Sequence, residues 1–143
     1  MKVVINNCYG GFGLSKEAVQ RYWDIKGIQI WIEDDTRFKS MGLFTVWLVP
    51  QDERIESKEG EDFYKMPIEE RAAYNKAHSA QTWYYRDVER DDPVLVQVVE
   101  ELGKVADGSH AELRVVEIPD GVRWEIMEYD GNEHVAESHR TWY

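Results

Sequence analysis

The chain has 143 residues, a single cysteine and a net charge of −11. That length suits one domain with one core, and a lone Cys8 excludes an internal disulfide and any multi-cysteine metal site. With 28 acidic against 17 basic residues, the average surface repels phosphate backbones and anionic lipids, so neither general nucleic-acid binding nor membrane binding is expected.

The N-terminal apolar stretch Val3–Ile5 stops at two asparagines, well short of a signal-peptide core, so a cytoplasmic location is expected. This β-branched run predicts a first strand, broken by the segment Cys8-Tyr9-Gly10-Gly11-Phe12-Gly13. Ser15 is a suitable N-cap, Leu14 and Val19 occupy the staple positions, and Val19, Tyr22 and Trp23 share a helical face. A helix therefore runs to about Lys26, with Gly27 in place to close it. Ile28, Ile30 and Ile32 then alternate at the strand period. After the charged turn 33–42, the run Leu43–Val49 is apolar on both faces and predicts a central strand with the core around it.

Residues 51–66 are dominated by charge and predict a mobile loop or an insertion. Pro67 opens a weakly striped helix to about Ala77. Thr82-Trp83-Tyr84-Tyr85 has strand composition, followed by a charge-dense connector. Asp92 and Pro93 supply a cap and an N1 proline, and Leu95, Val98, Val99 and Leu102 repeat at i, i+3, i+4 and i+7, so a helix follows that ends at Gly103 or near Gly108. The last third predicts a meander of strands at 112–118, 122–129 and 133–142. Its turns fall at Pro119-Asp120-Gly121 and Asp130-Gly131-Asn132, where residues that accept positive φ stand. The expected fold is α+β: one two-layer domain over residues 1–143, with a largely antiparallel sheet and helices on one face. A doubly wound parallel sheet is the alternative, because the first third reads strand, helix, strand.

Three segments, VVINNCYGGFGLS (Val3–Ser15), RDDPVLVQVVEELG (Arg90–Gly103) and VVEIPDGVRWEIMEYDGNEHVAESHRTW (Val115–Trp142), resemble a small family of uncharacterised proteins found mainly in tailed-phage genomes and prophages. The resemblance covers both ends of the chain and leaves residues 34 to 82 unmatched. It implies a phage context, hence the host cytoplasm and a host-takeover or anti-defence role, and brings no reaction or catalytic residue with it.

The glycine loop between strand and helix is the leading site candidate, since backbone N–H groups at a helix N-terminus attract anions. Gly11-Phe12-Gly13 supplies the GxG of a dinucleotide fingerprint, but Lys16 stands where the third glycine belongs, and there is no Walker lysine. The candidate ligand-binding residues are Tyr9, Gly10, Gly11, Phe12, Gly13 and Ser15, with Arg86 and Arg90 as counter-charge beside Trp83, Tyr84 and Tyr85. The competing reading is a tight turn that packs Phe12 and Leu14.

His134 and His139 are five apart and do not converge, Glu137 and His139 are the one acid/base pairing a strand face offers, and no GxSxG is present. Asp34-Asp35 and Asp91-Asp92 read as a solvated loop and a helix cap. No catalytic residue, cofactor or metal is expected. The functional expectation is an accessory binding protein that sequesters a small anionic ligand such as a nucleotide signal. The alternatives are an acidic inhibitor or DNA mimic that occupies a basic host protein, and an unrecognised hydrolase or transferase. The aromatic C-terminus, Trp142-Tyr143, adds the expectation of a homo-oligomer.

Overall fold

A computed structural model describes residues 1–143. In chain order its elements are β1 (Lys2–Asn6), α1 (Lys16–Lys26), β2 (Trp31–Asp34), β3 (Phe44–Trp47), α2 (Glu61–Tyr64), α3 (Ile68–Ser79), β4 (Thr82–Trp83), α4 (Pro93–Leu102), β5 (Leu113–Glu117), β6 (Trp124–Tyr129) and β7 (Asn132–Glu137). The chain is a small α+β fold with no barrel, and every strand pairing is antiparallel. That rules out the doubly wound alternative. The strands divide among three sheets, β1-β5, β2-β3-β4 and β6-β7. Of the three C-terminal strands, β6 and β7 form a hairpin, whereas β5 crosses back to pair with β1, Val4 opposite Val115. Two compact units result: Met1–Ile28 with Tyr85–Tyr143, and Gln29–Tyr84.

The first unit holds most of the fully buried side chains: Val3, Val4, Leu14, Ala18, Val19, Leu95 and Val98 are all at most 2% exposed. β1 is buried from Val3 through Asn6 on both of its faces, because α4 packs on it from one element and β7 lies against it from another. The α4 stripe repeats every three to four residues, and its Leu95, Val96, Val98 and Val99 are the buried side. Asp92 caps α4 by accepting from Val94 N–H at 2.8 Å, with Pro93 at its first position. At Gly103 the backbone reaches φ +56° and the α-helix stops; one 3₁₀ turn carries the chain on to Ala106. α1 begins as its sequence requires, with the Ser15 hydroxyl accepting from Ala18 N–H at 3.1 Å. It ends in a Schellman closure: Gly27 N–H to Asp24 O and Ile28 N–H to Trp23 O, each 3.1 Å, with Gly27 left-handed.

That closure explains why β2 starts later than the isoleucine alternation predicts. The Ile28 N–H is committed to the helix end and its side chain is 48% exposed. In the second unit β3 is the central strand of its small sheet, but the core does not centre there. Val46 is its one buried residue and α3 buries none of its residues. Between Gln51 and Met66 the chain makes these contacts with the rest of its unit: Ile55 N–H to Gln81 Oε1 at 2.5 Å, Lys58 N–H to the Tyr74 hydroxyl at 2.6 Å, and the Arg54 guanidinium 3.9 Å above the Trp47 ring.

Candidate functional site

The glycine loop leaves β1 and returns to α1 through several close backbone approaches. A Cβ on Gly10 would stand 1.7 Å from the His110 carbonyl oxygen. Gly108 donates to Gly13 O at 3.0 Å, and a Cβ on Gly108 would lie 2.7 Å from Gly13 carbonyl carbon. On the other side a Cβ on Gly131 would lie 2.7 Å from Gly11 N and 2.9 Å from Tyr9 O. The loop is thus pressed between segment 108–110 and the β6–β7 turn. Absence of side chains there permits close backbone approach, a packing use of glycine.

Ser15 caps α1 and also donates its hydroxyl to Val105 O at 2.6 Å, while its N–H reaches Ala106 O. Phe12 is buried, Tyr9 is 67% exposed, and the Tyr85 ring lies 6.5 Å from Phe12, centroid to centroid. Arg86 follows Tyr85 on an exposed 3₁₀ turn.

Arg90 sits beside this loop, 3.5 Å above the Phe12 ring. Its guanidinium makes a two-pronged pair with Glu133, Nη1 to Oε2 at 2.7 Å and Nη2 to Oε1 at 2.9 Å, and Nη1 also donates to Val4 O at 3.2 Å. Glu133 further accepts from Asn6 N–H at 2.8 Å. The side chains of Arg90 and Glu133 are 18% and 8% exposed, so the charge expected to meet an anion is answered inside the fold.

Two residues central to this cluster, Asn6 and Glu133, carry no site role in the sequence reading. Asn6 is fully buried. Its Nδ2 donates to Cys8 O and Gly131 O at 2.8 and 2.7 Å, and its Oδ1 accepts from Glu112 N–H at 2.8 Å. The signal for Glu133 was its period: two residues before Val135, it shares that strand face.

The β6–β7 hairpin turns on Asp130 (φ +48°) and Gly131 (φ +84°), the pair of positive φ values a two-residue type I′ loop requires. Its register pairs Tyr129 with Asn132 and runs without a bulge to Trp124 opposite Glu137. Trp124, Ile126 and Glu128 share the face of Glu133; Glu125, Met127 and Tyr129 share the other, where Met127 is 46% and Tyr129 79% exposed. Between Trp124 and Glu137 the chain carries Glu125, Glu128, Asp130, Glu133 and Glu137 and no lysine or arginine. Apart from the internally paired Glu133, these carboxylates are all exposed.

No family model, curated protein or solved structure matches this chain. The phage resemblance therefore rests on the quoted segments alone. No helix is long and apolar enough to cross a membrane, and no group of three His, Cys, Asp or Glu side chains is placed to hold a metal ion. His139 lies beyond the end of β7, whose last residue is Glu137. Cys8 Sγ lies 3.3 Å from both Asn6 Oδ1 and His110 O, two acceptors within reach of its one S–H.

Proposed function

We propose that this chain is a binding protein that engages a basic protein partner through its β6–β7 hairpin. The observation that carries the proposal is the hairpin's charge of one sign: four exposed carboxylates, Glu125 on the face of exposed Met127 and Tyr129, Glu128 and Glu137 on the opposite face and Asp130 at the turn, with no lysine or arginine between Trp124 and Glu137. Aromatic and methionine side chains supply contact area, and the carboxylates select a cationic surface and speed the encounter. In the phage context that the sequence segments imply, the partner is a basic host protein.

Sequestration of a small anion by the glycine loop is the competing proposal. Two features weigh against it: Arg90 is neutralised by Glu133, and Gly10, Gly108 and Gly131 all stand at close backbone contacts around the loop. Calorimetry distinguishes the two. A lysine decamer should bind and lose most of its affinity between about 50 and 300 mM salt, as exposed charge pairs do when the Debye length shortens, and a panel of linear and cyclic nucleotides should give no heat. Nucleotide binding that persists at high salt, with none to the decamer, returns the function to the glycine loop.

A further inference from the structure

We infer that the partner is taken up as an extended basic segment that adds a strand along the outer edge of β6. This rests on the proposed function and adds the mode of recognition. The Arg123–Ser138 pair at the open end is hydrogen-bonded, Ser138 N–H to Arg123 O at 2.8 Å, and antiparallel ladders alternate bonded and non-bonded pairs. Along β6 the backbone groups of Glu125, Met127 and Tyr129 therefore face β7, and those of Trp124, Ile126 and Glu128 face away from it. β6 pairs with β7 and with no other strand, and no backbone hydrogen bond reaches Trp124, Ile126 or Glu128 from elsewhere. The result is a row of vacant donors and acceptors.

Proteins usually blunt such an edge with proline, lysine or a bulge. The β6 sequence WEIMEY has neither residue, and its six-pair register is continuous. What guards it is negative charge, and that decides the occupant. A second copy of this chain would bring its own glutamates against Glu125 and Glu128, and like charges opposed across strands are unfavourable. A strand with lysine or arginine at alternate positions carries its cations on one face, opposite Glu125 or opposite Glu128, and reverses the sign of that pair. Main-chain bonds then hold the segment, and Met127 and Tyr129 offer apolar contact on one face, the general form of recognition by strand addition.

The test uses the full chain, ¹⁵N-labelled, with two peptides of the same lysine content as probes: one alternating Lys and Val over the six residues of β6, and one with two of its valines replaced by proline. Amide hydrogen exchange is read residue by residue. The expected result is slower exchange at Trp124, Ile126 and Glu128, unchanged exchange at Glu125, Met127 and Tyr129, and about tenfold weaker binding of the proline peptide, which cannot complete the ladder. Equal binding of both peptides, or binding without the alternating pattern, overturns strand addition while leaving an electrostatic partner in place. Binding of neither peptide overturns both this inference and the function on which it rests.

Discussion

Arg90 and Glu133 form a pair whose two halves lie 43 residues apart and whose loss is asymmetric. Arg90→Met leaves the Glu133 carboxylate buried with one N–H donor from Asn6, so stability should fall by about 3–5 kcal/mol in urea denaturation, and the double variant Arg90→Met/Glu133→Leu should recover much of it. A single variant as stable as the parent would remove the pair from any account of how the hairpin is fixed. The glycines give a second test. Gly10→Ala would press its Cβ to 1.7 Å from His110 O, whereas a Cβ on Gly13 meets nothing closer than 3.7 Å. Thermal melts should show a severe loss for the first and little change for the second. Gly131→Val combines positive φ with a 2.7 Å clash against Gly11 N, and about 1–3 kcal/mol of destabilisation is expected. Tyr22 supplies a pH test. Burial, reinforced by its hydrogen bond to Asp92 at 2.7 Å, raises its phenol above the usual value. Its contribution is therefore complete below about pH 10, the ordinary phenol range. It is lost at higher pH, where the unfolded chain gives up a proton that the folded chain retains. Absorbance titration should place the Tyr22 component, identified by comparison with Tyr22→Phe, after that of exposed tyrosines.

At the scale of elements, Asp92 joins two helices. Oδ1 caps α4, Oδ2 accepts from the Tyr22 hydroxyl of α1, and Lys26 approaches within 3.8 Å. Asp92→Ala removes a cap worth about 1 kcal/mol and also leaves the Tyr22 hydroxyl without its acceptor; the denaturation midpoint should fall by more than a surface cap alone explains. α1, α4 and the Asp130-Gly131 turn were legible in the sequence because their signals are local: a cap, a closing glycine, a stripe, a pair of residues that accept positive φ. The return of β5 to β1 was not, because pairing between Val4 and Val115 depends on which surfaces meet after the chain has folded back, and no neighbouring residue records it. The candidate site divides in the same way. The loop glycines stand out in composition, but what they approach is backbone at 108–110 and 131, far along the chain. Arg90 was legible as a charge, and its partner became visible only once β7 lay against β1. The start of β2 was misplaced because the Ile28 alternation was read without the helix closure that claims the Ile28 N–H.

At the scale of the whole molecule, a net charge of −11 draws any polycation to the surface, so affinity for basic peptides alone does not locate a site. The central claim is that the hairpin, and not the average charge, carries recognition. The most direct measurement compares two variants that each remove four negative charges. One is Glu125→Gln/Glu128→Gln/Asp130→Asn/Glu137→Gln in the hairpin, the other Asp52→Asn/Glu53→Gln/Glu69→Gln/Glu70→Gln at exposed positions of the second unit. Both have the same net charge, and Asn at 130 retains tolerance of the left-handed backbone. Titrated with the lysine decamer at about 0.1 M salt, where the Debye length is about 10 Å, the hairpin variant should lose about tenfold or more in affinity, with the second-unit variant within about twofold of the parent, since screened charges act locally. Equal losses in the two variants would contradict the account and assign the binding to net charge.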